Sequence, residues 1–205
     1  MMNKKPTDFK IIGIDLIGTL TENSHIVRDI LAPLVKKEYP LVKELYKLYT
    51  LGKMSREEFW KKIGVENYGG LEEKFLSLIK FEQGFIIVLE NLSRKFKLVL
   101  LTNFSREWLE MLSKMNGKFL SYFDEIFVSS EIGFRKPDLR FYKKLLSTLN
   151  VEPQYVLIVD DKPKNLLAAH QLGFITCLVR RENYREDIKV DFSIKKFGEL
   201  LDILN

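Results

Sequence analysis

Residues 11–22 read IIGIDLIGTLTE, and this stretch sets the expectation for the rest of the chain. Its start is short, apolar and rich in isoleucine, which is typical of a fully buried β-strand. One carboxylate, Asp15, follows the apolar run, and a Gly-Thr turn comes next. A carboxylate in this position can serve as a nucleophile or a metal ligand. A second acid would be expected nearby in a phosphate-handling site, but Ile17 stands two places on.

Similar apolar runs recur along the chain as KLVLLTNF, EIFVSS, YVLIVDD and ITCLVR. Helical patterns separate them. One begins after a Ser105 cap, one begins at Asp138, and one runs from Pro163 to Gly173. Strands that alternate with helices predict an α/β fold with a parallel sheet covered on both faces.

Polar side chains follow four of these runs. They are Asp15, Thr102-Asn103, Ser129-Ser130 and Asp160-Asp161. In a parallel sheet, ligands bind beyond the carboxyl ends of the strands. The sequence therefore predicts a functional site at that edge of the sheet.

Residues 21–82 interrupt the alternation with patterns that all predict helices. A capping box of Ser55 and Glu58 marks one helix start. An all-helical insertion directly after the first strand is expected to lie above the strand ends, as a lid does. We therefore predict a core of residues 1–20 and 83–205 and a helical cap of residues 21–82.

The composition bounds the possible functions. The chain has 205 residues, of which 46% are hydrophobic and 30% charged, so one packed domain with a modest insertion is expected. The net charge of +5 comes from lysines interleaved with glutamates, which is typical of solvated helix faces. The sequence has no arginine-rich arm and no Cys/His finger, so nucleic acid is not expected as a partner. A basic surface favours an anionic small-molecule substrate.

Several features favour a cytoplasmic protein that functions without a membrane. No apolar run approaches the roughly 20 residues that span a bilayer, and Met1–Lys10 does not have the pattern of a signal peptide. The single cysteine, Cys177, lies in an apolar run and is expected to be a buried thiol. The two histidines, His25 and His170, are predicted on helices, with surface or packing roles. A monomer and a homodimer both remain open.

Four motifs, in order, resemble those of the haloacid dehalogenase-like hydrolases in their capped subfamily. They are DLIGTL, LLTNFS, GFRKPDLRFY and VLIVDDKPKNLLAAHQLGF. The last is the most specific, because it combines paired acids with an asparagine four places after the second acid. The resemblance is greatest to the branch with sugar-phosphate phosphatases and the amino-terminal domain of epoxide hydrolase. It implies a Rossmann-like three-layer core with a small helical cap after the first strand.

The resemblance also implies roles for individual residues. Asp15 would be the nucleophile that takes the phosphoryl group as an aspartyl-phosphate. Thr102 and Asn103 would hold the transferring oxygens, through a hydroxyl and a backbone N–H. Lys136 would neutralise charge on the phosphoryl group and on Asp15. Such an ammonium is needed because a dianionic phosphate repels a carboxylate nucleophile.

A magnesium ion is the implied cofactor. Its ligands would be Asp15, the backbone carbonyl of Ile17, and Asp161 with help from Asp160. Magnesium takes about six oxygens, commonly from one or two carboxylates together with water and phosphate. The four positions therefore suffice for a site.

Ile17 departs from the family pattern, in which a second aspartate protonates the leaving oxygen and then activates water. Loss of such a group typically costs about 10²–10⁴ in rate. Three hypotheses follow. The protein is a magnesium-dependent phosphatase of a small phosphorylated metabolite, with water activated by the cap or by Asp160. Alternatively, it is a 2-haloacid dehalogenase-type hydrolase that forms an aspartyl ester without a metal. The third hypothesis is a non-catalytic protein that binds phosphorylated ligands.

Overall fold

The fold is described from a computed structural model, which covers residues 9–180 and 188–204. Most of Met1–Lys10, for which we expect no signal peptide, lies outside these residues. No described helix has both the length and the apolar character needed to cross a membrane.

Six parallel strands form one sheet in the spatial order β3-β2-β1-β4-β5-β6. Their bounds are β1 Ile11–Ile14, β2 Lys97–Thr102, β3 Glu125–Val128, β4 Val156–Asp160, β5 Ile175–Val179 and β6 Phe192–Ile194. The predicted parallel α/β fold is confirmed. Only β6 has no counterpart in the expected runs, because its three residues are too few to give a pattern.

Helices cover both faces of this sheet and bury two apolar clusters against it. The core helices are α5 Phe85–Ser93, α6 Arg106–Met115, α7 Ser129–Ile132, α8 Leu139–Leu149, α9 Pro163–Gln171 and α10 Leu200–Leu204. Short 3₁₀ turns lie at Phe119–Tyr122, Pro153–Tyr155 and Phe197–Glu199. The Ser105 hydroxyl accepts from Trp108 N, and the Asp138 side chain accepts from Arg140 N. Both predicted caps are therefore present.

In the segment from residue 21 to residue 82, here called the cap, all the regular elements longer than a single bridge are helical. A π-helical turn at Val27–Leu31 runs into α1 Ala32–Leu34, and α2 Tyr39–Tyr49, α3 Arg56–Ile63 and α4 Gly69–Ser77 follow. The Ser55–Glu58 capping box is present at the start of α3. The first helix is shorter than its pattern predicts, since the chain turns at Lys36, which has a φ of 52°.

The two ends of the cap lie side by side. Thr21 and Phe81 form an antiparallel bridge, while Glu22 N donates to Lys80 O and Glu82 N donates to Leu20 O. The chain thus leaves and re-enters the core at one place, immediately after β1. The predicted boundaries at residues 21 and 82 stay a prediction.

The cap shares one apolar cluster with the core. Trp108 of α6 is fully buried, and its ring contacts Tyr49 of α2, Phe59 of α3 and Phe75 of α4. These ring contacts hold three cap helices against a single core helix. The cap is therefore packed on the core and not attached only through its two connections.

Candidate active site

Asp15 lies at the centre of the sheet edge because of the strand register. Ile14, the last residue of β1, pairs with Leu100 of β2 and with Val159 of β4. Asp15 N continues the ladder by donating to Val159 O at 2.9 Å. The carboxylate is 7% exposed, and it accepts from the Thr19 hydroxyl at 3.4 Å. The strand thus ends by directing a nearly buried carboxylate towards the cap.

Lys136 joins two carboxylates from different strands. Its ammonium lies 2.7 Å from Asp15 Oδ1 and 2.6 Å from Asp160 Oδ2, and the residue is 2% exposed. Burial alone would lower the pKa of this lysine, but the two carboxylates outweigh burial and raise it. Lys136 is therefore a fixed positive charge in direct contact with Asp15.

Asn103 fixes the loop that carries this lysine. Its side-chain oxygen accepts from Lys136 N at 2.9 Å, and its side-chain nitrogen donates to Lys136 O at 2.9 Å. The Asn103 carbonyl in turn accepts from the Tyr46 hydroxyl of the cap at 3.2 Å. Thr102, next to it at the end of β2, is buried and lines the same cleft. The side chain of Asn103 thus positions Lys136 and leaves its backbone to face the cleft.

Three buried acids converge at this edge. One carboxylate oxygen from each of Asp15, Asp160 and Asp161 lies within 4.8 Å of the others. Burial is the main cause that raises the pKa of Asp15 to about 7; Lys136 opposes this effect, and the other two acids add to it. The pKa of Asp161 is also raised, mainly by burial, against the influence of Lys162. When all three acids are ionised, three acids beside two lysines leave the cluster one positive charge short of neutrality, and the raised pKa values show that this ionised state is costly without a further cation.

Asp160 and Asp161 differ in how their oxygens are used. Asp160 is fully buried and accepts from Lys136, from Lys162 N and from the Asn165 side chain. Asp161 Oδ2 lies 2.7 Å from the Lys162 ammonium, whereas Asp161 Oδ1 is buried with no hydrogen-bond partner. A buried acceptor without a partner costs free energy unless a ligand satisfies it. Asp161 Oδ1 is therefore the oxygen best suited to a cation.

The turn after Asp15 passes very close to Asp161. Gly18 has a φ of 89°, and a Cβ at this position would lie 2.1 Å from Asp161 Oδ2. Only glycine fits this approach without displacing the carboxylate. Ile17, one residue earlier, is half-buried and lines the cleft. The turn thus places the Ile17 position at the edge of the carboxylate cluster, where its side chain offers no proton.

The cluster opens into a cleft of about 610 Å³ between the core and the cap. The cap contributes Ser24, His25, Arg28, Lys43 and Tyr46 among other residues. The Ser24 hydroxyl is buried without a hydrogen bond of good geometry, although it is near enough to Asp161 to act against the rise in the pKa of that acid. An acceptor oxygen of a bound molecule could satisfy this hydroxyl, and a cation could satisfy the carboxylate oxygen.

The structure brings together three of the four strand ends expected to carry polar side chains. Ser129 and Ser130 instead contact the cap and the start of α6, and neither lines the cleft. The Ser129 hydroxyl donates to the carbonyl of Thr50, and the Ser130 hydroxyl accepts from Arg106 N at 3.2 Å. These two serines therefore serve the packing of the cap and helix and not the cleft.

His25 and Arg135 are among the cleft residues that were not identified from the sequence. His25 was expected on a helix with a packing or surface role, but it lies just before the first helical turn and lines the cleft. Burial is the main cause that lowers its pKa, with Lys162 and Arg28 adding to the effect and Asp29 opposing it. Within the GFRKPD motif the resemblance implies a role for Lys136 only, but Arg135 of the same motif also lines the cleft. No periodicity in the sequence shows which way either side chain points.

The family model for haloacid dehalogenase-like hydrolases matches residues 14–179, which include every residue of the cluster and the whole cap. The chain belongs to this family. The family assignment based on the four motifs is thus confirmed. Members similar to it include phosphatases and dehalogenases, and the chain is a hydrolase-family protein on that ground.

Two relatives agree with the branch that the motifs favour. Bifunctional epoxide hydrolase 2 of Rattus norvegicus is 35% identical over 71 residues, which are 35% of this chain and 13% of that protein. Glyceraldehyde 3-phosphate phosphatase of Methanopyrus kandleri is 31% identical over 90 residues, which are 40% of this chain and 39% of that protein. The chain thus spans well under half the length of either relative.

Solved structures share the fold across nearly the whole chain. A HAD phosphatase from Thermococcus onnurineus has a TM-score of 0.73 at 20% identity, covering 96% of this chain and 98% of that one. L-2-haloacid dehalogenase from Xanthobacter autotrophicus has a TM-score of 0.70 at 18% identity, with the same coverage. A phosphatase and a dehalogenase are therefore almost equally similar in fold, and the choice between them rests on the site.

Proposed function

We propose that the protein is a magnesium-dependent phosphatase that acts on a small phosphorylated metabolite through an aspartyl-phosphate on Asp15. The carboxylate cluster carries this proposal, because three acids beside two lysines require a further cation. Asp161 Oδ1 has no other partner, so Asp161 and Asp15 would bind the ion, with the backbone carbonyl of Ile17. Bound magnesium would offset the negative charge of a phosphate beside these acids.

Asp160 has a different role in this proposal from the one suggested by its position in the motif. Its oxygens accept hydrogen bonds from Lys136, Lys162 N and Asn165. Asp160 therefore holds the Lys136 ammonium in place and supports the neighbouring metal site. The same contacts make Asp160 unsuitable for activating water, since it is fully buried. We therefore assign it a positioning role.

The first step is attack of the Asp15 carboxylate on phosphorus. The bond from phosphorus to the ester oxygen breaks, and the leaving group departs with the electron pair and takes up a proton. The Lys136 ammonium lies 2.7 Å from Asp15 Oδ1. From this position it stabilises the charge on the phosphoryl oxygens. The Thr102 hydroxyl and the Asn103 N–H hold the transferring oxygens. Water then attacks phosphorus, which releases phosphate and restores the carboxylate.

His25 is our candidate for the acid and base that Ile17 cannot supply. It lines the cleft with Asp15 and Asp161. In its protonated form the imidazole donates a proton to the leaving oxygen, and the neutral form that results accepts a proton from the attacking water. Burial lowers the pKa of His25, which makes the imidazolium a stronger acid. Leaving groups of low pKa, such as phenols, depend less on such a group than alcohols do.

Hydrolysis of 4-nitrophenyl phosphate with and without magnesium tests the proposal. We expect magnesium-dependent release that disappears in Asp15→Asn and persists in the control Asp202→Asn, which changes an exposed acid in α10. The nitrophenolate leaves without protonation, so the test makes little demand on a general acid. Release that persists in Asp15→Asn, or no release with the metal present, would contradict the proposal.

A phosphate-binding protein without turnover is the second candidate, and Ile17 is the observation that favours it. Calorimetry would then detect magnesium-dependent phosphate binding while a broad panel of phosphate esters stays intact. The cluster weighs against the dehalogenase alternative, because acids without a cation repel a haloacid carboxylate. Chloride release from 2-chloropropionate without metal would restore that alternative.

A further inference from the structure

Arg135 is a half-buried cation in the cleft without an acidic partner. It lines the cleft one residue before Lys136. Among residues 9–180 and 188–204, no carboxylate oxygen lies within 4.0 Å of its guanidinium, and no side-chain hydrogen bond is formed. Burial lowers the pKa of Arg135, with Tyr46 and Glu44 acting in the opposite direction. The fold thus keeps a partly desolvated positive charge in place without a carboxylate in direct contact.

Two other cations of the cleft are paired: Lys162 lies 2.7 Å from Asp161, and Arg28 lies 2.5 Å from the carboxylate of Asp29. Lys43 and Lys164 form no ion pair with a described acid, but both are exposed to water, whereas Arg135 is half-buried. Glu44 of the cap, which acts electrostatically on Arg135, is exposed and lies 4.0 Å from Lys47. A partly buried charge without a partner is costly, and such groups are normally paired. The missing partner of Arg135 is therefore expected to come from outside the chain.

Arg135 and Asp15 share one cleft and both act electrostatically on the same cap side chain. Tyr46 of α2 is influenced electrostatically by both Arg135 and Asp15, and its hydroxyl donates to the Asn103 carbonyl at the sheet edge. Arg135 and Asp15 line one cleft of about 610 Å³, which a single small molecule can occupy. A guanidinium offers parallel donors that match a carboxylate or a phosphate.

We propose that Arg135 binds a second anionic group on the substrate, which defines the substrate class as phosphate monoesters that also carry a carboxylate or a second phosphate. This inference rests on the proposed function, since it assumes that the first phosphoryl group lies at Asp15. Arg135 then selects among phosphate esters, while Asp15 and Lys136 serve the reacting group.

A pair of non-hydrolysable ligands tests the role of Arg135 without requiring turnover. 4-Phosphonobutanoate and 4-phosphonobutanamide have the same length and differ in one negative charge. Calorimetry in the presence of magnesium gives the affinity of each. We expect the acid to bind about ten- to a hundredfold more tightly, because hydrogen bonds to charged groups are worth that factor.

Variants of Arg135 test whether its side chain causes the preference for the acid over the amide. Arg135→Met is expected to bring the ratio of the two affinities close to one. Arg135→Lys keeps the charge but loses the paired donors, so an intermediate ratio is expected, and this variant keeps the test usable if the Met variant does not fold. Arg94→Met removes an exposed arginine that pairs with Glu90 on α5, and it is expected to leave the ratio unchanged.

Each other outcome overturns the inference. Equal affinities in the native protein, no binding of either ligand, or a preference that persists in Arg135→Met would each show that Arg135 selects no second anion. The phosphatase proposal is tested separately by 4-nitrophenyl phosphate. Hydrolysis without a preference for the acid would remove only the inference about Arg135. A preference without hydrolysis would remove only the proposed turnover.

Discussion

Glu72 offers the sharpest test of how the cap is held on the core. This acid of α4 is fully buried. It accepts from Arg56 Nε at 2.8 Å and from Trp60 Nε1 at 3.1 Å, both within the cap. It also accepts from the indole N–H of Trp108 in α6, a core helix. One carboxylate therefore satisfies buried donors on both sides of the boundary between cap and core.

Replacing Glu72 with alanine leaves two buried indole N–H groups without an acceptor, those of Trp60 and Trp108. Each unsatisfied buried donor costs about 1–3 kcal/mol. Arg56 is one-third exposed at its side chain and can turn to water, so it adds little. We therefore expect a loss of about 4 kcal/mol in the free energy of unfolding. For a chain of this size, that corresponds to a fall of about 8–16 °C in Tm.

Thermal and urea unfolding, followed by tryptophan fluorescence and by circular dichroism, measure this loss. Trp60 and Trp108 are the only tryptophans in the sequence, so the fluorescence reports on the site of the change. Glu73→Ala is the matched control, because Glu73 is the next residue of α4 and is exposed. A loss below about 1 kcal/mol in Glu72→Ala, similar to that of the control, would refute the reasoning.

Three further predictions concern the site. Asp161→Asn is expected to raise the magnesium concentration needed for half-maximal turnover by at least about tenfold, because it removes the negative charge of the acid whose Oδ1 has no hydrogen-bond partner. Titration of turnover with magnesium measures this change. His25→Gln is expected to lower turnover of alkyl phosphates by about 10²-fold, and turnover of 4-nitrophenyl phosphate much less. Adding Ile17→Asp to the His25→Gln variant is expected to restore the rate with alkyl phosphates. No restoration would indicate a structural role for the imidazole. Asn103→Ala is expected to lower kcat by about tenfold, since it frees the loop of Lys136, whereas an unchanged kcat would show that the loop needs no such support.

Much of the fold could be predicted because its signals are local. The strands β1, β2, β4 and β5 are apolar runs of four to six residues that need no knowledge of distant contacts. Helix starts at Ser105 and Asp138 depend on side chains that bond within three residues. The capping box of Ser55 and Glu58 is equally local. These helix starts could therefore be predicted from the sequence, because the hydrogen bonds that cap them are local.

The parts that could not be predicted depend on tertiary contacts. Ser129 follows β3 and Asp160 ends β4, but Ser129 contacts the cap and Asp160 contacts Lys136. The difference comes from the place of each strand in the sheet, since β3 is at an edge and β4 is next to β1. Cleft residues such as His25 and Arg135 are exposed or half-buried in irregular segments. The direction of these side chains is set by the packing of the cap, which the periodicity of the sequence does not show.

Ile17 and the cation balance of the cleft bear on the same question of substrate choice. An apolar side chain beside Asp15 removes one acid from a region that already holds three within 4.8 Å of each other. A fourth carboxylate there would raise the repulsion that an incoming dianion meets. An isoleucine lowers that repulsion, and Arg135, which has no carboxylate partner, adds attraction within the same cleft. Both features favour a substrate with more than one negative charge, and the cost is the loss of a proton donor at residue 17. In the proposed phosphatase, the site would therefore favour tight binding of highly charged esters over rapid release of poor leaving groups.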